Sequence, residues 1–395
     1  PEWTDYEKRI QYQTYDVTAS IHDGDNVLGA MLGDGWYLGR LGPTRWAKDY
    51  PRRGVYGLHR RLLARLDVEL ADGSVQSIVS DGEWKCNPDG PIRQADNFLG
   101  ETFDARKIVP GWDAPGFDDT AWAAVTAEPL DAVLLEAQMN EPIRVIREMP
   151  AQSVAEPTPG VYIFDLGQNM PGWCRIRIQG EAGQEIMVRH GEMLNLNGTL
   201  YTENLAAAVQ EDRYILAGMG EEVFEPHFTY HGFRYVEVTG LKTKPDTSMV
   251  TGCVVCSDTR RTGTLECSNP MLNKLVENIL WTQRSNMHSV PTDCPQRDER
   301  MGWMGDAQVF GQSAIFNTDM AAFFTKWMQD IRDAQAKDGS FPDIAPHAYD
   351  PDVRFKNAPG WADAGVFVPW RLYQNYGDTR VLKEHLEAAK RYIEC

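Results

Sequence analysis

Residues 264–280, with the sequence TLECSNPMLNKLVENIL, mark the point at which the spacing of apolar residues changes. Upstream, apolar and polar residues alternate as in β-strands, whereas downstream the apolar residues recur every three or four positions as in helices. Ser268 or Asn269 can cap a helix that has Pro270 at its first position, because the cap accepts a free backbone N–H and proline has none to satisfy. The apolar residues that follow at helical spacing are Leu272, Leu275, Val276, Ile279 and Leu280.

The same spacing predicts four further helices, at residues 305–316, 319–337, 362–376 and from 379 to the end. Gly339 and Gly377 stand where the second and third of these are predicted to end. The last helix runs into Cys395 without a stop signal, which predicts a helical domain cut off within the sequence shown. The apolar stripe of helix 319–337 comprises Met320, Phe323, Phe324, Trp327, Met328 and Ile331.

Short alternating segments precede the helical part. Residues 62–70 alternate, and Asp72-Gly73 supplies a hairpin turn before a second strand at 75–79. A second β series includes 174–178, 185–189 and 233–238, and the Pro-rich stretch 151–160 (AQSVAEPTPG) between the two series is predicted to be a linker. The sequence therefore predicts two β-sandwich, jelly-roll-like domains at 1–150 and 151–260, followed by a helical domain at 261–395.

The net charge of the chain limits the classes of binding partner that are expected for it. The 395 residues include 39 Lys and Arg against 57 Asp and Glu, a net charge of −18, and no basic stripe interrupts the acidity. Nucleic acids and anionic membranes attract positive charge, so neither is an expected partner. No run of about 18 apolar residues predicts a transmembrane helix.

The cysteines and the first residue bear on the compartment. Seven irregularly spaced cysteines do not form a disulfide pattern, which favours a reducing compartment and predicts a cytoplasmic location. The chain begins at Pro1 without Met, so its natural N-terminus is predicted to be missing, and a periplasmic or secreted location stays open.

Several motifs contain residue types found in cofactor or metal sites but lack the spacing or structural context that those sites require. Cys253 and Cys256 form a CxxC within a strand-like stretch that points the two thiols to opposite faces. His227 and His231 lack the glutamate of a metalloprotease helix, which favours structural histidines. The glycines of 33–39 have the wrong spacing for a dinucleotide fingerprint and indicate a turn. The sequence therefore predicts no cofactor and no metal site.

Residues 292–306, TDCPQRDERMGWMGD, hold the densest group of chemically capable side chains. Crowded carboxylates oppose one another's ionisation and raise at least one pKa, which suits a group that protonates a departing glycosidic oxygen. The alternative is a solvated loop whose acids pair with its arginines, but Pro295 and two glycines favour a rigid site. The carboxylates, arginines and tryptophan of the loop are Asp293, Asp298, Glu299, Asp306, Arg297, Arg300 and Trp303.

The run DCPQRDER at 293–300, followed by Gly302-Trp303 and Gly305-Asp306, closely resembles the signature of the bacterial α-L-rhamnosidases, glycoside hydrolase family 78. The resemblance extends over most of the chain. Supporting similarities are NVLG at 26–29, GDGWYLG at 33–39, GETFDAR at 100–106, FDLGQN at 164–169 and YHGFRY at 230–235.

The resemblance implies inverting hydrolysis of terminal α-L-rhamnosyl residues of plant glycans or glycosides, on an (α/α)6 barrel preceded by β-sandwich domains. It implies that Glu299 is the general acid and that a rhamnose-containing carbohydrate is the substrate. The residues that it assigns to substrate binding are Asp293, Arg297, Trp303, Asp306 and, in the stretch GWAD at 360–363, Trp361 and Asp363.

Inversion also needs a second carboxylate that activates water. In the family this base is a glutamate further along the barrel. Five helices are predicted here, so the base is expected beyond Cys395 and the chain alone is expected to be inactive. Two alternatives stay open: a carbohydrate-binding or scaffolding module without catalysis, and another (α/α)6 glycosidase, such as a glucuronyl or mannosyl hydrolase.

Overall fold

The computed structural model describes residues 2–43, 52–129, 133–349, 352 and 354–395. The N-terminal part contains short strands, and the hairpin predicted around Asp72-Gly73 is confirmed, since the strands Arg65–Glu69 and Val75–Val79 pair antiparallel with Leu66 opposite Ile78. The strands are β1 (Arg9–Tyr12), β2 (Arg40–Leu41), β3 (Arg52–Arg53), β4 (Arg65–Glu69), β5 (Val75–Val79), β6 (Lys85–Cys86), β7 (Ile92–Asp96), β8 (Gly100–Asp104), β9 (Ala123–Ala124) and β10 (Leu134–Ala137).

The second β series forms longer strands, and the three segments predicted within it are confirmed. The strands are β11 (Ile143–Pro150), β12 (Ser153–Thr158), β13 (Val161–Gln179), β14 (Glu185–Gly191), β15 (Met193–Leu194), β16 (Leu200–Tyr201), β17 (Glu211–Ile215), β18 (Glu221–Phe224), β19 (His231–Thr239) and β20 (Val250–Ser257).

The stretch 151–160 is not a linker, and the prediction was wrong there. Residues Ser153–Thr158 form β12, which pairs antiparallel with β13 and with no other strand among the residues that the structure describes. Pro157 is tolerated because it lies where the register shifts, between Ala155 and Thr158, on a strand that needs no N–H donor toward a second neighbour.

One sheet of ten strands links the two β series. Its path runs β11-β20-β13-β19-β14-β17-β8-β7, with β12 and β18 pairing with β13 beside it. The link is a parallel pairing in which Tyr214 of β17 stands opposite Phe103 of β8. Strands from both sides of residue 150 thus share one sheet, and the division into 1–150, 151–260 and 261–395 stays a prediction.

The five helices predicted after residue 264 are confirmed in kind. Asn269 caps the first, its side chain accepting a hydrogen bond from the Met271 amide, and Gly377 ends α5 in the left-handed conformation. The helices are α1 (Gly35–Leu38), α2 (Pro270–Asn286), α3 (Met304–Asn317), α4 (Ala321–Asp333), α5 (Ala364–Tyr376) and α6 (Thr379–Glu394), with short 3-10 turns at Thr18–Ser20, Ala105–Lys107, Glu203–Leu205 and Thr247–Met249.

Three details differ from the prediction. The predicted turn at 33–39 contains α1, and α4 ends four residues before 337. Leu272 and Leu275 are exposed, because α2 reaches the sheet through Trp281 near its C-terminal end. None of the described helices is long and apolar enough to cross a membrane, and all seven cysteines are free.

The helical core includes residues from the start of the chain. The predicted stripe of α4 is completely buried, and Trp3 joins the same cluster, stacked on Trp36 with 5.0 Å between ring centroids. The sheet has its own core, formed mainly by the inward residues of β13, β14, β19 and β20. The N-terminal segment and the helices therefore fold against each other.

A buried ionic network strengthens this contact. Asp330 on α4 accepts from Arg9 at 2.6 Å and lies 2.8 Å from the ammonium of Lys326, and both acid and lysine are inaccessible to solvent. Lys326 also donates to the carbonyl of Trp3. Such charges cost desolvation and are stable only while all partners remain.

We expect Asp330→Asn to destabilise the chain by about 3–5 kcal/mol, because it leaves two buried cations without their shared carboxylate. The free energy of unfolding from urea titration measures this. Glu387→Gln, which removes an exposed partner of Lys390, is the control and should change it by less than about 0.5 kcal/mol. Equal effects of the two substitutions would contradict the role of the network.

Candidate active site

The loop at 292–303 follows two short strands, β21 (Met287–His288) and β22 (Val290–Pro291), and leads into α3. It closes on itself: the Asp293 amide donates to the Met301 carbonyl at 3.0 Å, and the Met301 amide donates to the Asp293 carboxylate at 2.8 Å. The far end is held by the segment 343–345, since the Ala345 amide donates to Gly302 and a β-bridge joins Trp303 to Ile344. The loop is thus hydrogen-bonded at both of its ends, and the rigidity expected from Pro295 and the glycines stays a prediction.

Arg297 joins two carboxyl groups of the loop. Its Nη2 donates to Asp293 at 2.9 Å and its Nε donates to Glu299 at 3.1 Å. Trp303 Nε1 donates to the other oxygen of Glu299 at 3.0 Å. The side chains of Asp293 and Glu299 are 6% and 3% exposed, so this ion cluster is shielded from bulk water. Four of the residues predicted to form the site therefore meet in one hydrogen-bonded group.

The electrostatics of the cluster follow from two acids that share one cation. Burial, and after it the charge of Glu299, raise the pKa of Asp293 to about 7 against the lowering effects of the Met301 amide and Arg297. One carboxyl pKa in this loop is raised, as expected, but burial contributes more to the rise than the crowding of the carboxylates. The cluster is thus able to retain a proton near neutral pH.

Arg300 anchors the loop to the sheet. Its side chain is completely buried, with the guanidinium 4.8 Å from the ring centroid of Tyr230 and 5.3 Å from that of Phe98. It donates to the backbone carbonyls of Tyr230, Gln296 and Arg297. Its φ of +52° is a conformation that costs a residue with a Cβ about 1 kcal/mol. Sequence reasoning placed Arg300 among possible partners of the acids, whereas the structure uses it to hold backbone.

The other predicted site residues lie around the start of α3 and α5. Asp306 is exposed in the first turn of α3. Trp361 packs on Gly305, where a Cβ would come within 3.0 Å of the indole, so this ring lies beside the loop. Asp363 accepts from the Gly360 amide at 2.9 Å and from the Tyr392 hydroxyl at 2.8 Å, contacts that fix the start of α5. Their assignment to substrate binding stays a prediction.

Sequence reasoning missed the partners that the loop finds in distant segments. Phe355 contacts the ring of Trp303 edge-on at 5.8 Å, and Gly232 of β19 packs against Pro295. Phe98 and Tyr230 enclose Arg300 as described above. No local spacing marks these residues, because the contacts arise only when the sheet and the helices meet.

Among the described residues, one group has the composition of a metal site: His190, Asp212 and His231, all buried. Asp212 Oδ2 lies 3.0 Å from His231 Nε2 and 3.9 Å from His190 Nε2. The centroids of the two imidazole rings are 4.2 Å apart, and both Nε2 atoms lie near the same carboxylate oxygen of Asp212. Asp212 also accepts a hydrogen bond from the Glu101 amide at 2.8 Å, and His190 Nδ1 lies 3.0 Å from the Gln210 carbonyl. The three side chains thus form a buried hydrogen-bonded group within the sheet.

Three family models match the chain in succession: the α-L-rhamnosidase N-terminal domain at 1–147, the bacterial α-L-rhamnosidase concanavalin-like domain at 155–256 and the bacterial α-L-rhamnosidase 6 hairpin glycosidase domain at 260–395. A curated α-L-rhamnosidase of Streptomyces avermitilis is 50% identical over 100% of this chain and 38% of its own length. One of Formosa agariphila is 38% identical, over 100% of this chain and 42% of its own length. The chain thus spans well under half of these relatives.

Solved structures give the same result. The S. avermitilis α-L-rhamnosidase complexed with L-rhamnose superposes with a TM-score of 0.93 at 47% identity, covering 100% of this chain and 37% of that one. The α-L-rhamnosidase from Dictyoglumus thermophilum gives a TM-score of 0.90 at 41% identity, covering 100% and 43%. The fold is therefore a β-rich N-terminal part followed by a helical six-hairpin glycosidase domain.

We expect Arg300→Met to loosen the loop, because three backbone carbonyls lose their donor at a cost of about 1–3 kcal/mol for each buried group left unpaired. Hydrogen exchange at the Asp293 and Met301 amides measures this and should accelerate at least tenfold, whereas the amides of β13 should change less. Arg380→Met, at an exposed ion pair of α6, is the control. Unchanged exchange at both loop amides would rule out the anchoring role.

We expect Asp293→Asn to flatten the pH dependence of stability between about pH 4 and 7. Because the folded-state pKa of Asp293 is raised to about 7, its contribution is fully present below the unfolded value near 4 and is lost as pH rises through 7. Urea titrations of both proteins at several pH values give the difference curve. Parallel curves across this window would show that Asp293 does not titrate there.

Proposed function

The chain belongs to the bacterial α-L-rhamnosidases, glycoside hydrolase family 78, and we propose that it binds a terminal α-L-rhamnosyl residue and supplies the proton for its removal by inverting hydrolysis. The proposed substrates are plant glycans or glycosides that carry terminal rhamnose. In this proposal α2–α6, within residues 261–395, are the first helices of an (α/α)6 barrel that follows two β-sandwich domains.

The observation that carries the proposal is the cluster formed by Asp293, Arg297, Glu299 and Trp303. Two carboxyl groups share one guanidinium, so full ionisation of both leaves a net negative charge in a buried place, which favours retention of one proton. The raised pKa in this cluster is that of Asp293. We assign the proton transfer to the glycosidic oxygen, as the bond to the anomeric carbon breaks, to Glu299, because the resemblance at 293–306 implies that role.

The neighbours of Glu299 support an acid with a fixed direction. Trp303 and Arg297 each bind one of its oxygens, so the carboxyl plane is set before substrate arrives. Trp303, with Trp361 beside the loop, offers apolar ring surface to the C–H face and methyl group of rhamnose, while Asp293 and Asp306 accept hydrogen bonds from its hydroxyls. The remaining positions, Arg297 and Asp363, complete the proposed −1 subsite.

Inversion requires a second carboxylate about 6.5–9.5 Å from the acid, across a water molecule. Asp293 is bound to the same guanidinium as Glu299 and is assigned here to the substrate. We propose that the base is a glutamate in the portion of the family that this chain does not match, since the chain spans 38% of its S. avermitilis relative. A cytoplasmic location is proposed from the seven free thiols.

We expect Glu299→Gln to lower kcat on an aryl α-L-rhamnoside by about 10²–10⁴-fold in the full-length protein that carries this sequence. Affinity for L-rhamnose, measured by calorimetry, should change by only a few fold, because the amide keeps the shape of the side chain. Glu387→Gln on the exposed face of α6 is the matched control and should retain full turnover.

Turnover of Glu299→Gln equal to that of the unchanged protein would remove the proposed acid. Binding of oligosaccharides through residues 1–256, with no turnover and no effect of Glu299 or Trp303 substitutions, would favour the carbohydrate-binding module. Preference for mannosides or glucuronides in the same assay would favour a different glycosidase, because rhamnose presents a methyl group where those sugars are polar.

A further inference from the structure

A cavity of about 250 Å³ lies away from the loop, where the end of β20 meets the C-terminal half of α2. Its lining includes the apolar Leu280 and Met287 and the buried polar residues Ser257 and Gln283. The charged residues that line it are three arginines and one acid: Arg260, Arg261, Arg284 and Asp258.

This concentration of guanidinium groups is unusual for a chain of net charge −18. Arg284 is half-buried and forms no ion pair within the part of the chain that the structure describes; its guanidinium lies 5.0 Å from the ring centroid of Trp281. The guanidinium of Arg147 approaches the same ring at 5.9 Å. Two like charges are thus held on one indole.

The acids nearby compensate only part of this charge. The carboxylate of Asp258 lies 3.8 Å from the guanidinium of Arg144, a residue that does not line the cavity. The carboxylate of Asp319 lies 3.4 Å from the guanidinium of Arg260, which is largely exposed. Glu277 is bound to Lys274. Arg284 and Arg261 therefore keep donors for another acceptor, although Arg261 uses its Nε for the Gly263 carbonyl.

The pKa of Arg284 is lowered, which indicates that the negative charge around it does not fully offset its burial and the neighbouring positive charges. Burial lowers this pKa, and the positive charges of Arg261 and Arg147 lower it further, whereas Cys256 and Glu277 raise it. A bound anion would offset this repulsion, because Arg284 and Arg261 line the same cavity and guanidinium groups pair well with a carboxylate or phosphate.

We propose that this cavity is a binding site for a small anion that carries a carboxylate or phosphate group, held chiefly by Arg284 and Arg261. Its volume lies below the roughly 300–1,000 Å³ of sites for drug-sized ligands, which limits the occupant to an inorganic anion or a single acidic sugar ring. The side chains of Ser257 and Gln283 are already paired, with the Ser289 amide and the Thr318 hydroxyl, so recognition rests on the arginines.

Calorimetric titration of the full chain tests the site with three probes: inorganic phosphate, D-galacturonate and the neutral sugar D-galactose. We expect phosphate or galacturonate to bind with a dissociation constant in the millimolar range or tighter, weakened by added salt, and galactose not to bind. Tighter binding of phosphate indicates a free phosphate or phosphate ester as the occupant, and tighter binding of galacturonate indicates an acidic sugar.

Arg284→Met keeps the aliphatic contact with Trp281 and removes the charge, and we expect it to weaken anion binding at least tenfold. Arg261→Met changes an exposed side chain outside the core and should also weaken anion binding. This variant tests the site even if Arg284→Met does not fold. Arg177→Met, at an exposed ion pair with Glu221, is the matched control and should bind as before.

The proposal is overturned if neither anion binds, or if both pocket variants bind as tightly as Arg177→Met. L-Rhamnose titrated into the same variants separates this result from the function proposed above. If neither the unchanged chain nor any variant binds rhamnose while the anion still binds, the proposed function is contradicted and the anion site is supported. If rhamnose binds but the anion does not, only the anion site is contradicted.

Discussion

The buried guanidinium of Arg300 is the contact on which the geometry of the site depends. It lies between the rings of Phe98 and Tyr230 and binds three backbone carbonyls, two of them in the loop that carries the carboxyl groups. Arg300 forms no ion pair within the part of the chain that the structure describes, and a buried charge without such a partner is costly. The π faces of Phe98 and Tyr230 and the carbonyl dipoles offset this cost. The position of the loop is thus set by the sheet as well as by the helices.

Within this loop, the carboxylates of Asp293 and Glu299 both pair with the guanidinium of Arg297. Arg297 donates to one oxygen of Glu299, and Trp303 donates to the other oxygen of Glu299. Burial and the charge of Glu299 raise the pKa of Asp293 to about 7, against the lowering effect of Arg297. A second positive charge in contact with Asp293 would lower this pKa and remove the proton that the cluster retains.

The secondary structure could be predicted from the sequence wherever the spacing of apolar residues follows one pattern, that of a strand or that of a helix. The helices after residue 264, the hairpin at Asp72-Gly73 and the loop at 292–306 follow from local patterns and from the resemblance at 293–306. The strand at 153–158 was missed, because two prolines suggested a linker and its pairing with β13 is a tertiary contact. The role of Arg300 was also missed, since Phe98 and Tyr230 lie 202 and 70 positions away along the chain. Local patterns identify which residues form an element, whereas long-range contacts decide what those residues do.

The parallel pairing of β17 with β8 has a practical consequence for dissection of this protein. A fragment that begins at residue 151 would lose β7, β8 and β11 from the shared sheet, and the backbone groups of β17 and β20 would then face water without partners. Bare edges of this kind recruit strands from other molecules. Boundaries drawn from linear patterns would therefore yield insoluble pieces, and any shortened version should retain the strands at 92–104 together with the longer strands that follow them.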